Sequence, residues 1–233
     1  MKICGIQKTT LIDYPGKVAC TIFLYGCNFR CGFCYNAGLV TEEPEIEYTV
    51  KEILSFLQQR VGKLDAICIT GGEPLLTLDK EFLKQIKSMG YLVKIDTNGT
   101  SPDKLQKYIE EKLVDYVAMD IKNSKEKYNK TAGVEVNIED IEKSIKIISD
   151  LDDYEFRTTV IEDLHTKEDV VKIGKWLNSL IKEKPKKYFL QGFKSAGNFI
   201  DKEYSNKSNT TEKYLIELKK SGEEYFKKVE ARW

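Results

Sequence analysis

The chain has 233 residues, with 37 basic and 37 acidic side chains, 41% hydrophobic residues and 11% aromatics. That length closes one full core without covalent staples, or two small ones, and the apolar content excludes a disordered chain. Zero net charge excludes a general nucleic-acid binder, which needs a basic excess, and no apolar run reaches the ~20 residues that span a bilayer.

The first stretch, KICGIQKTTLIDYPGKVACTIFL, predicts two extended segments around a Pro15-Gly16 turn of type II. It contains no continuous apolar export segment, so a cytoplasmic chain is expected. Residues 46–62 predict a helix, with Thr49 and Glu52 spaced as a capping box. Residues 64–70 (LDAICIT) read as a buried strand, 78–89 as a helix and YLVKIDT as a strand. Ser101 and Pro102 open the next helix as N-cap and first helical residue. VDYVAMDIK is a strand, and Asn137 caps the helix NIEDIEKSIKIISD. YEFRTTV is a strand, and Thr166 with Asp169 caps the following helix. KKYFLQGF is a strand, and 210–228 a last helix.

Strands alternating with helices predict an α/β fold, a parallel sheet with helices outside it. About six such units are fewer than the eight of a closed barrel, so a partial (β/α)6 barrel and an open wound sheet both fit. A single domain over 1–233 is expected, with 1–26 leading into a cysteine loop and 195–233 forming a C-terminal connection and helix.

Cys27, Cys31 and Cys34 stand as C-x₃-C-x₂-C in CNFRCGFC. Thiolates so spaced suit an iron–sulfur cluster. Three of them around a [4Fe–4S] cube leave one iron without a protein ligand. Other readings are a buried helical cysteine stripe, a structural zinc site completed by Cys4, Cys20 or Cys68, and a Cys31/Cys34 redox dithiol. Asn28 and Gly32 argue against a packed helix.

Further polar groups end successive strands. Gly71 and Gly72 let backbone approach a ligand, and Glu73 can accept from an ammonium. Asp96 and Asn98 share one side of an extended chain, as do Asp120 and Lys122. Turn chemistry alone would also explain Gly-Gly-Glu-Pro and Asn-Gly, and a local ion pair would explain Asp120 with Lys122. Arg157 lies in a strand, and facing inward it must meet an anion. His165 reads as a loop histidine. In a parallel barrel such strand ends share one ligand-binding face.

The motif GCNFRCGFCYN, with Phe33 before the last cysteine, resembles the signature of the radical S-adenosylmethionine (SAM) superfamily. The segment Asp13 to Val40 more narrowly resembles glycyl-radical-enzyme activating proteins, above all those of anaerobic ribonucleoside-triphosphate reductase. The likeness is weakest after about residue 195. It implies a radical SAM barrel with Cys27, Cys31 and Cys34 as ligands of a [4Fe–4S] cluster. The open iron would chelate SAM, and one electron would cleave it to methionine and a 5′-deoxyadenosyl radical. That radical would take hydrogen from a glycine of a partner glycyl radical enzyme.

The resemblance also assigns SAM contacts to Gly71, Gly72, Glu73, Asp120, Lys122 and Arg157, and to Phe33 mainly through its backbone. Asp96 and Asn98 complete the cofactor set, and Asp96 with Asp120 matches the carboxylates of a monovalent-cation site in pyruvate formate-lyase-type activating enzymes. Tyr35 and Asn36 read as packing residues beside the cluster. Gln191 stands where some relatives carry a cofactor-pocket histidine, which leaves the nucleoside contacts open. A low-potential donor of flavodoxin or ferredoxin type is implied; nucleic acid and membrane are not. A small-molecule radical SAM enzyme of nucleobase-pathway type and a zinc-stabilised module without catalysis are the alternatives.

Overall fold

The computed structural model describes residues 1–42 and 48–233. The strands are β1 (Ile3–Thr10), β2 (Ala19–Leu24), β3 (Ala66–Gly71), β4 (Leu92–Thr97), β5 (Tyr116–Asp120), β6 (Tyr154–Val160), β7 (Tyr188–Gly192) and β8 (Val229–Arg232). They lie in that order in one sheet. β1 runs antiparallel to β2, whereas β2/β3, β3/β4, β6/β7 and β7/β8 are parallel. The α-helices are α1 (Gly38–Thr41), α2 (Val50–Gln59), α3 (Pro74–Thr77), α4 (Lys80–Ser88), α5 (Pro102–Glu110), α6 (Tyr128–Ala132), α7 (Ile138–Ser149), α8 (Lys167–Leu180) and α9 (Glu212–Gly222). The expected α/β class, mostly parallel with intervening helices, is observed. Among the described residues no helix is long and apolar enough to cross a membrane.

Local sequence explains most boundaries. Gly16 takes φ +69°, and Lys17 donates to the Tyr14 carbonyl, which is the turn Pro15-Gly16 calls for. Thr49 and Glu52 form a reciprocal capping box on α2, as do Thr166 and Asp169 on α8. Of the helix expected over 46–62, positions 46 and 47 lie outside the described residues. The last helix, expected over 210–228, stops at Gly222. There the Tyr225 N–H turns back onto the Gly222 carbonyl, and residues 229–232 leave as β8 beside β7.

The chain forms two compact units. The first comprises Met1–Asn28, Asn36–Thr97 and Asp103–Val117. Its core is the fully buried row Ile22, Ile67, Ile69, Val93 and Ile95, covered by Ile53 and Leu57 of α2 and Leu83 and Ile86 of α4. The second comprises Phe29–Tyr35, Asn98–Pro102 and Ala118–Trp233. Phe156, Tyr188 and Leu190 are buried there with Ile145 of α7, Ile173 and Leu177 of α8 and Leu215 of α9. Each such side chain contributes about 1.5–3 kcal/mol by leaving water.

Candidate functional site

The three cysteines carry no disulfide. Cys27 follows Gly26 in the first unit, where the Gly26 N–H donates to the Leu39 carbonyl at 2.9 Å. Cys31 and Cys34 belong to the second unit. The Cys34 N–H donates to the Cys31 carbonyl at 3.0 Å, so this part of the loop is a turn and not a packed helix. Its stem is anchored by the Arg30 N–H on the Ala132 carbonyl at 2.8 Å. Gly133, at φ +73°, permits that approach, because a β-carbon there would lie 2.1 Å from the Arg30 carbonyl oxygen. The C-terminal segment seals the loop's other side. The Asp201 N–H donates to the Gly32 carbonyl at 3.0 Å, and the Tyr204 ring packs on Gly32 and on the Phe33 ring.

Phe33 is buried, with its ring centroid 5.9 Å from that of Tyr204, so its backbone is the part left for a ligand. Tyr35 stacks near Phe193 and Phe199 and accepts from the Lys194 N–H at 2.7 Å. Burial pushes the Cys31 thiol up on balance, and the Lys122 charge offsets only part of this. The cation nearby therefore favours the thiolate that a metal needs.

In the first unit, β3 ends in the glycine pair. The glycines make room for the protein's own chain. A β-carbon on Gly71 would lie 2.3 Å from the Leu24 carbonyl oxygen, and one on Gly72 would lie 2.1 Å from that of Gly26. The pair thus packs on the residues that lead into Cys27, a reason the sequence reading, which gave them to a ligand, did not contain. The Glu73 N–H donates to the Gly26 carbonyl at 2.7 Å. The Glu73 carboxylate is buried, accepts from the Leu75 N–H at 3.1 Å as N-cap of α3, and accepts from the Thr97 hydroxyl at 2.8 Å. Asn36 holds the turn by donating to the Gly71 carbonyl at 2.9 Å. Asp96, on β4, is ion-paired with Lys94.

In the second unit, Asp120, Lys122 and Arg157 form one ion-paired group. Lys122 Nζ lies 2.9 Å from Asp120 Oδ2, and Arg157 Nε lies 3.0 Å from Asp120 Oδ1. Asp120 is therefore the anion that the inward arginine meets. Burial pushes the Asp120 carboxyl up, but the Lys122 and Arg157 charges more than reverse this and hold it down to about 2. Burial likewise disfavours the Lys122 ammonium, and Asp120 outweighs it, so Lys122 is raised and stays charged. Arg157 is shared with the buried Glu155 at 4.0 Å, so Lys122 is the cation at the end of this row of alternating charges, and an ammonium there suits a carboxylate ligand.

His165 lies in the loop before α8, as expected, but it is not an exposed one. It is buried, its Nδ1 accepts from the Ile161 N–H at 3.1 Å, and its Nε2 lies 2.8 Å from the Lys122 carbonyl oxygen. That arrangement requires the neutral ring with its proton on Nε2, and it pins the backbone of Lys122. Asn98 instead closes its own turn, accepting from the Thr100 N–H and hydroxyl at 3.1 and 2.7 Å. Lys94, Thr97, His165 and Tyr204 are the participants that motif reasoning missed.

The profile of the Radical SAM superfamily matches residues 21–177, which contain the cysteine loop, the glycine pair, Asp120, Lys122 and Arg157. The chain belongs to the radical SAM superfamily. This superfamily member is 35% identical over 237 residues to a protein of Methanocaldococcus jannaschii provisionally named a glycyl-radical enzyme activating enzyme, covering 99% of this chain and 95% of that one. It is 27% identical over 195 residues to a pyruvate formate-lyase-activating enzyme of Staphylococcus epidermidis, covering 76% and 75%. The solved structure of native anSMEcpe with bound AdoMet superposes with a TM-score of 0.62 at 16% identity, covering 90% of this chain and 62% of that one, a likeness of fold.

Proposed function

We propose that this radical SAM protein is an activating enzyme that takes a hydrogen atom from a glycine Cα of a partner glycyl radical enzyme. The observation that carries the reading is the likeness to a glycyl-radical enzyme activating enzyme along nearly the whole length of both chains, cysteine loop included.

The donor chemistry fits a cluster better than zinc. The donor set is three thiols, Cys27, Cys31 and Cys34, none of them in a disulfide. Iron–sulfur clusters are held by such thiolates, whereas a structural zinc asks for a fourth ligand that this loop does not contain. The residues that would hold the cluster are those three cysteines. Bound there, it supplies the electron that breaks a sulfonium C–S bond in SAM and so a carbon radical strong enough to break a C–H bond.

The rest falls to side chains. The Lys122 ammonium, held beside Asp120, favours the carboxylate of the amino-acid end of SAM. Glu73, which the resemblance gives to the SAM ammonium, has its direction fixed by the Leu75 N–H and the Thr97 hydroxyl. Phe33 offers backbone, while its ring on Tyr204 helps keep the loop dry. Asn98 borders the site through its turn. The partner is a glycyl radical enzyme, with anaerobic ribonucleoside-triphosphate reductase the first candidate, and the electron comes from a flavodoxin- or ferredoxin-type donor.

The test is anaerobic incubation of reduced protein with SAM and a candidate partner, followed by electron paramagnetic resonance. A glycyl doublet that needs both proteins is expected. Cys27→Ala, Cys31→Ala and Cys34→Ala should each abolish it. SAM cleavage that produces no doublet with any glycyl radical enzyme of the cell would return the protein to the small-molecule class.

A further inference from the structure

The resemblance to pyruvate formate-lyase-type activating enzymes carries the expectation of a monovalent cation on Asp96 and Asp120. The residues do not fit one. Asp96 Oδ1 lies 2.5 Å from Lys94 Nζ, and the Lys94 side chain is only 3% exposed, so its ammonium cannot turn away into water. Asp120 is engaged at both oxygens, by Lys122 and by Arg157. Each carboxylate is thus neutralised, or more than neutralised, within its own unit. A metal cation added at either would meet an ammonium or guanidinium that already holds the oxygen.

The placement of Lys94 follows from strand register. Thr21 of β2, Cys68 of β3 and Lys94 of β4 stand side by side across the sheet. Two small neighbours leave room for a four-carbon stem. Asp96 is two residues further along β4 and faces the same way. The other carboxylate near this row, Asp13, accepts from the Thr21 hydroxyl at 2.5 Å.

We propose that Lys94 is the built-in counterpart of the metal cation: its ammonium supplies the positive charge beside Asp96, and SAM binding here is independent of sodium and potassium. Lys94 is a positioning residue that acts through Asp96, and the proposal rests on the SAM-dependent reading above. A cation-dependent relative needs an ion from solution at this carboxylate; this chain carries one covalently.

The test is SAM affinity of the cluster-loaded, oxygen-protected protein, by calorimetry, at equal ionic strength in potassium, sodium or choline chloride. The wild type is expected to agree across the three salts within about twofold. Lys94→Met should bind SAM more weakly in choline and recover by about tenfold in potassium or sodium. A wild type that binds at least about tenfold better with either metal cation overturns the proposal, as does a folded Lys94→Met indifferent to all three salts. The unfolding midpoint of the wild type in the same salts is a second readout that needs no SAM. Equal midpoints support the proposal, and a rise specific to sodium or potassium overturns it. Absence of SAM binding in every salt would instead sink the activating-enzyme reading and leave the midpoint comparison to decide this one.

Discussion

Lys122 lies 2.9 Å from Asp120, and its backbone carbonyl is held by His165, so both ends of the residue are fixed before any ligand arrives. Losing its ammonium leaves Asp120 to Arg157, which is already shared with Glu155. Lys122→Ala is expected to weaken SAM binding by about tenfold to a hundredfold, the worth of one charge-assisted hydrogen bond. Iron content should stay unchanged, and calorimetry beside an iron assay checks both. At this scale the sequence was legible where spacing sets contact: Asp120 and Lys122, two apart, form the local ion pair, and Arg157 meets an anion. It was illegible where burial sets it. Nothing in LVKIDT marks Lys94 as buried, and only its place beside Thr21 and Cys68 in the folded sheet turns it into a buried ion pair. His165 lies 43 positions from its partner Lys122, and no local pattern announces that contact.

The end of β3 shows how one element sets another. Gly71 and Gly72 let the strand end sit directly against Leu24 and Gly26, and the Glu73 N–H then ties the turn to Gly26, one residue before Cys27. Gly72→Ala would drive a β-carbon into the Gly26 carbonyl, a backbone atom that no rotamer change relieves. A loss of about 3 kcal/mol is expected, at the upper end of overpacking, together with lower iron content in the purified protein. Urea denaturation and an iron assay check the two. Most elements were legible because their caps are chemical: Thr49 with Glu52, Asn137, and Thr166 with Asp169 begin helices where the sequence expects them. β8 was not, since Val-Glu-Ala-Arg is only four residues with two charges, past the end of the helix expected over 210–228. Its strand character comes from pairing with β7, a contact remote in sequence.

Across the whole molecule there is a single histidine, which makes its titration visible in global stability. Burial lowers the pKa of His165 below its ordinary value. The unfolded chain, with a histidine near pH 6.5, then binds the proton more readily than the folded one. Stability is therefore level above about pH 6.5 and falls as the pH drops below it, by up to about 1.4 kcal/mol per unit. His165→Gln should flatten that slope between about pH 6.5 and 5, measured as the urea midpoint against pH. Asp120, held down to about 2, responds only in far stronger acid and does not confuse the reading.

Tyr204 and Asp201 close on Gly32 from a segment that follows the cysteines by about 170 positions. Tyr204→Ala removes the ring from Phe33 and Gly32, and faster bleaching of the cluster absorption in air is the expected outcome. A ribosome finishes the cysteines early and this clasp late. Until residue 204 has emerged the nascent loop lacks its cover, an open door through which iron and sulfide would reach the three thiols.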